Sequence, residues 1–280
     1  MQARKLAASR FALPLVLVLL ASVVLALLLL QTTAATAGTD AELVYEVKAT
    51  NARLNRKVLG EVTSSVQGVA AEPVHSFVWD GDGSVPIEGR ATLEVDPVAN
   101  TGEIRAEWHD ENGSWTFSQT VFAPPEHSDG LRVGPSASTT QLEFGDPISL
   151  DVYLHGDTTA GGAVLPTLFN LIATWGPAEV TLNGQPFENP FDGPAPLWAA
   201  HTMTTVGARN PDGTVRTVDG EIFDPKVNPA NGAVDYNDLE FHLVFHDAPG
   251  PELTNNFPPP HAFFYHLTFE DVEIEVRHSD

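Results

Sequence analysis

The chain has 280 residues, 42% of them hydrophobic, and carries 37 acidic against 14 basic side chains for a formal charge of −23. Such a surface repels nucleic acid and anionic lipid, whose phosphates are held by clustered Lys and Arg; it suits cations, cationic partners or a salty medium. There is no cysteine, which excludes disulfides, thiolate metal centres, cysteine nucleophiles and type 1 copper sites.

The first 37 residues set the compartment. Arg4, Lys5 and Arg10 precede an unbroken apolar run from Phe11 to Leu30, and a small-residue tail extends from Thr32 to Gly38. A 20-residue helix spans about 30 Å, the hydrocarbon thickness of a bilayer. The positive flank keeps the start of the run cytoplasmic, so the chain beyond the run is expected outside the cytoplasm. Ala35-Thr36-Ala37 fits a small-x-small cleavage site and favours a removable signal peptide. The run is longer than the usual ~7–15-residue signal core, which favours a retained anchor. Membrane contact is expected only through residues 11–30, and only if they are kept. The localisation is secreted, periplasmic or cell-surface, beside an envelope or extracellular partner that the sequence does not name.

Beyond residue 37, Pro and Gly punctuate short runs rich in Val, Ile, Thr, Phe and Tyr with period-2 alternation. Ala41–Ala49, His75–Asp80, Ala91–Asp96, Glu103–His109, Ser114–Phe122, Ile148–His155 and Glu240–Asp247 read as strands. Leu165–Thr174 (LPTLFNLIAT) fits a buried strand or a short helix, and its length does not arbitrate. The hairpin at Asn112-Gly113 can be drawn by residue, with His109 opposite Ser114, Trp108 opposite Trp115, Ala106 opposite Phe117 and Ile104 opposite Gln119. Both tryptophans then share a face with Ile104, Ala106, Phe117 and Val121. Core packing is the expectation there, with a sugar-stacking platform as the alternative.

The fold class read from this pattern is all-β: an antiparallel β-sandwich or jelly-roll-like domain preceded by one N-terminal hydrophobic export helix. Residues 1–37 are the signal peptide or signal anchor, 38–72 a membrane-proximal segment with one strand, and 73–280 the sandwich. A split near 124–134 into two smaller sandwiches is the alternative.

Catalytic signatures are missing from the sequence: no GxSxG elbow, HExxH, phosphate-binding P-loop or GxGxxG after a strand. The carboxylates are too numerous for any pair to carry information. A non-enzymatic role is favoured.

Six of the ten histidines fall in the last 80 residues. In Glu240–Asp247 (EFHLVFHD), Phe241, Leu243 and Phe245 share one face of a strand, and Glu240, His242 and His246 the other. HxxxH cannot chelate along one strand, since residues four apart are about 13 Å apart at ~3.3 Å rise. A metal site therefore needs cross-strand partners. Ala262–Phe269 supplies His266 opposite an apolar face of Phe263, Tyr265, Leu267 and Phe269. Trp198–Thr204 supplies His201 and Met203 on one face. His201, Met203, His242 and His266 make an N/N/N/S set acceptable to copper, with zinc the second choice; histidines scattered on the polar side of a sheet are the plain alternative.

A weaker hint lies in Asp224–Glu240. Asn228, Asn231, Asp235 and Asp238 resemble an oxygen-rich calcium loop in spacing. Setting Gly232 at the invariant loop glycine, however, puts Val227 and Pro229 at ligand positions, so an ordinary Asn-Gly turn is favoured. The leading functional expectation is a binding protein that takes a transition metal through its C-terminal histidines. The alternatives are a carbohydrate-binding or carbohydrate-active surface module using exposed Trp, and a purely structural or adhesive envelope domain.

Overall fold

The computed structural model describes residues 43–58, 65–70, 84–123, 146–158, 165–191, 197–225, 227–247 and 262–278. The export segment, the expected strand His75–Asp80 and the Pro-rich connection 248–261 lie outside the described residues. By internal contacts Glu42–Asp280 forms one compact unit. Its strands are β1 (Leu43–Val58), β2 (Ser65–Val66), β3 (Val69–Ala70), β4 (Val85–Pro86), β5 (Glu88–Asp96), β6 (Thr101–Asp110) and β7 (Gly113–Gln119). After these come β8 (Ile148–Leu154), β9 (Leu168–Leu182), β10 (Gln185–Pro186), β11 (Trp198–Gly207), β12 (Asp235–His246) and β13 (Phe264–His278). A single 3₁₀ turn, Gly156–Thr158, is the only helical element among the described residues.

All pairings are antiparallel, as the alternating pattern requires, but the sheet closes. The order β9-β11-β12-β13-β1-β5-β6-β7 returns to its start because Trp115–Ser118 of β7 pair with Glu179–Leu182 of β9. The result is an eight-stranded barrel instead of the expected sandwich. The reason is the length of β9. Its C-terminal half accepts β7 and its N-terminal half accepts β8 along the same edge, through Leu168–Thr174. β9 runs through the Gly176-Pro177 pair without a break. A Cβ on Gly176 would lie 2.2 Å from the Val121 carbonyl, so only glycine lets the chain leaving β7 run against β9. At the far end, Asn183 and Gly184 have φ of 53° and 74°, the paired left-handed conformation of a type I′ turn leading to β10.

β1, in the segment 38–72, lies in the wall between β13 and β5, and strands that precede and follow 124–134 in the chain join one continuous wall. β1 also extends well beyond the expected end at Ala49. Asn51 takes a left-handed φ of 58°, and the register with β13 shifts between Leu54 and Arg56. Inward residues therefore run Val47, Ala49, then Ala52, Leu54, then Lys57, and a strict period-2 reading loses the strand at the first shift.

The hairpin of β6 and β7 has the register drawn from the sequence, Trp108 opposite Trp115 and Ala106 opposite Phe117. Both tryptophans are buried inside the barrel, stacked with centroids 5.6 Å apart. Val121, expected on the same face, is exposed because the strand ends at Gln119. Phe187, Trp198, Phe245, Phe263 and Tyr265 complete an aromatic interior, consistent with an eight-stranded barrel just wide enough for side chains to fill. On β5 and β6 the outward positions carry Arg90, Thr92, Glu94, Arg105 and Glu107, the reverse of a lipid-facing band.

One carboxylate organises the aromatic end. Asp110 accepts hydrogen bonds from Trp115 Nε1 (2.8 Å), Tyr265 Oη (2.9 Å) and the backbone and side chain of Asn112, while Trp108 Nε1 donates to Tyr265 Oη (3.0 Å). Burial pushes the Asp110 carboxyl upward, but these bonds from Trp115, Asn112 and Tyr265 outweigh it and hold the group below the usual carboxylate range. A depressed folded value stabilises above the unfolded pKa of about 3.9 and loses that contribution as pH falls through the folded value. Asp110→Asn is therefore expected to cost about 2 kcal/mol at pH 7. In urea unfolding, the gap to wild type should shrink on going to pH 3; an unchanged gap would sink this account.

Candidate functional site

Half of the barrel wall is buried on both faces. On β5, β6 and β7 inward and outward residues alternate between buried and exposed, whereas Glu240–His246 of β12 and Tyr265–Thr268 of β13 are buried without alternation. Phe241, Leu243, Phe245, Tyr265 and Leu267 point into the barrel. The opposite side of this wall is roofed in two ways. A second apolar cluster gathers Val152 and Leu154 of β8 with Ala173, Trp175, Met203 and Val206. Over β12, β13 and β1, the connection from 208 to 234 is tied down by Arg209 Nε to Thr268 Oγ1 (3.4 Å) and Arg53 Nη2 to the Asp212 carbonyl (3.3 Å).

Under this roof the register brings histidines together. His242 faces Thr268 and Val244 faces His266, so the two imidazoles are diagonal neighbours on one face. Their Nδ1 and Nε2 atoms lie 3.0 Å apart, and the rings are 0% and 3% exposed. The other nitrogen of His242, Nε2, is 2.9 Å from Glu240 Oε2. Glu240 Oε1 accepts the backbone N–H groups of Ala208 (2.9 Å) and Arg209 (2.5 Å). Burial raises the Glu240 carboxyl, but the hydrogen bond and charge of His242, with Arg209 beside it, bring it below its ordinary value. An ionised carboxylate only accepts hydrogen bonds, so His242 Nε2 carries a proton and donates it to Glu240 Oε2. Its Nδ1 is the atom that faces His266 Nε2. This carboxylate–imidazole pair is the arrangement that orients a metal-ligating histidine.

On β11, Met203 lies directly opposite His242, and His201 opposite Val244. His201 Nδ1 donates to the Thr174 carbonyl (2.9 Å) and its ring stacks on Trp175 at 4.8 Å. Burial pushes the His201 pKa down to about 3. The Thr174 hydrogen bond opposes the shift, and His155, His242 and His266 add to it. The ring is thus neutral, with a lone pair on Nε2. The structure therefore carries His201, Met203, His242 and His266 on one face, but only His242 and His266 touch through their ring nitrogens. Among the described residues no three His, Asp or Glu side chains converge as a metal-holding group.

His155 escaped the sequence reading. It ends β8 in a left-handed turn (φ 65°, then Gly156 at 55°), held by Thr158 Oγ1 donating to the His155 carbonyl (2.7 Å). Its Nε2 lies 3.2 Å from Met203 Sδ. No local spacing links it to β11–β13; a polar residue ending an apolar strand before Gly is the only trace it leaves.

Three of the four calcium candidates use a side-chain oxygen within their own turns, while Asn231 Oδ1 is buried without a hydrogen-bond partner. Asn228 Oδ1 accepts Ala230 N (3.1 Å), Asp235 Oδ1 accepts Asn237 N (2.9 Å) and Asp238 Oδ1 accepts Leu239 N (2.9 Å). Asn231 precedes Gly232, which lies close against Pro166, and its backbone N–H reaches the Asn228 carbonyl. Trp108, Trp115, Trp175 and Trp198 are all buried, so none offers a face to a sugar; Trp79 lies outside the described residues. Comparison with known proteins finds no matching family model, no matching curated protein and no matching solved structure.

Glu240 holds both His242 and the entry to the 208–234 connection. Glu240→Ala is expected to lower stability by about 3 kcal/mol, because His242 Nε2 and two backbone donors lose their acceptor inside the protein and the Arg209 charge loses a nearby counter-charge. Glu240→Gln retains one acceptor and should lose less. Guanidinium unfolding of both variants measures this; equal losses would mean that packing, not the carboxylate, matters at this position.

Proposed function

We propose that the protein is a non-enzymatic, extracytoplasmic binding protein that takes one transition-metal ion between His242 Nδ1 and His266 Nε2. The observation that carries this reading is the 3.0 Å separation of those nitrogens, with Glu240 on the far side of the first ring. Two metal–nitrogen bonds of about 2.0 Å at a tetrahedral angle put their donors about 3.3 Å apart. A shift of a few tenths of an ångström admits the ion, and the proton held between the two nitrogens is displaced to solvent. The acidic composition favours approach by a cation. The basic-then-apolar N-terminus supports export, and the lack of cysteine leaves imidazole and thioether as the soft ligands available.

Metal titration of protein purified without a histidine tag tests the reading. Wild type should bind one equivalent of Cu⁺, Cu²⁺ or Zn²⁺ at micromolar Kd or tighter. The His242→Gln/His266→Gln variant should bind at least 100-fold more weakly with its circular dichroism unchanged. Replacement of the exposed His109 and His278 by Gln should change nothing. A wild type that binds none of the three ions, or equal affinity in the double variant, overturns the proposal. Should the double variant fail to fold, perturbation of the His242 and His266 ring signals by metal in the wild type decides the same point.

A further inference from the structure

We infer that the ion is copper(I) and that the Met203 thioether is its third ligand, an inference that rests on the metal reading above. Two imidazoles leave the coordination of any of these ions incomplete. Among the described residues no third His, Asp or Glu joins them as a metal-holding group. His201 is turned to the Thr174 carbonyl through Nδ1 and laid flat on Trp175. Met203 has the position that His201 lacks. It is directly opposite His242 across the β11–β12 ladder, where facing Cβ atoms are about 4.5–5.5 Å apart. It is 1% exposed and is the only methionine after the first residue.

Its sulfur is already treated as a polar atom. His155 Nε2 sits 3.2 Å from Sδ, inside an otherwise apolar cluster of Val152, Leu154, Ala173 and Val206. A leucine would fill that space without drawing an imidazole to it. A thioether sulfur has two lone pairs, so one can meet His155 Nε2 and leave the other for an ion.

The donor chemistry then selects the ion. Thioether is a soft, neutral ligand that favours Cu⁺ over Zn²⁺, whereas Cu²⁺ prefers a fuller set of nitrogen and oxygen donors in a plane.

Met203→Leu separates this inference from the one beneath it, because leucine keeps the volume and apolar character of the site. The probe is the metal alone: Cu⁺ under anaerobic competition with a chromophoric chelator, beside Zn²⁺ and Cu²⁺ titrations. Wild type should bind Cu⁺ more tightly than either divalent ion. Met203→Leu should lose at least 10-fold in Cu⁺ affinity with less than about 3-fold change for Zn²⁺, and X-ray absorption should find a sulfur neighbour of copper only in the wild type. Cu⁺ affinity unchanged in Met203→Leu, or a wild type preferring Zn²⁺ or Cu²⁺, overturns the inference. If binding depends on His242 and His266 but not on Met203, this inference alone falls; if wild type binds no ion, both fall. Should Met203→Leu fold poorly, the sulfur neighbour in the wild type is decisive alone, and its absence overturns the assignment.

Discussion

The pairing of Trp115–Ser118 with Glu179–Leu182 is the contact on which the rest of the structure depends. Without it, β7 and β9 would be the two edges of an open antiparallel sheet, and an open sheet has to fold onto a partner layer to bury its apolar face. With it, the inward residues of eight strands meet one another, and Trp108, Trp115, Phe245 and Tyr265 fill the enclosed space. Closure also frees the outside of the wall from the duty of covering the main core. That outside is then available for a second, smaller packing arrangement on β9, β11, β12 and β13.

The second arrangement is what makes the histidine pair unusual. Imidazoles on the outer face of a barrel are ordinarily solvated. Here β8 and the connection from 208 to 234 cover them, so His242 and His266 are as buried as core residues. A buried imidazole must satisfy both ring nitrogens, and His242 does so through His266 on one side and Glu240 on the other. Glu240 is in turn anchored by the backbone of Ala208 and Arg209. The polar chain thus joins the barrel wall to its roof. The same short contacts that satisfy both rings of the pair hold His242 Nδ1 and His266 Nε2 3.0 Å apart.

Legibility followed the regularity of the backbone. The β6–β7 hairpin was readable to the residue because a two-residue turn and an unbroken alternation leave one register that buries both tryptophans. The face occupied by Phe241, Leu243 and Phe245 followed from alternation alone. β1 was only partly readable, since the left-handed Asn51 and the shift after Leu54 each change which residues point inward. Leu165–Thr174 could not be assigned by pattern because β9 is buried on both sides around Ile172–Trp175 and so shows no alternation. The nearness of His242 to His266 followed from pairing two neighbouring segments; the contact of Met203 with His155 did not, since 48 residues and two different strands separate them.

Composition and period-2 patterning determined by themselves that this would be an antiparallel, cysteine-free β-protein, and which side of each regular strand would face a core. These are local properties: the pleat repeats every two residues wherever the chain is extended. Three things were decided only by the tertiary structure: closure into a barrel, the burial of the outer face, and the meeting of His155 with Met203. Each depends on which distant strand lies against which edge. Pairing energies along a ladder are nearly the same for many partners, so that choice is made by the fit of the whole wall around its aromatic interior.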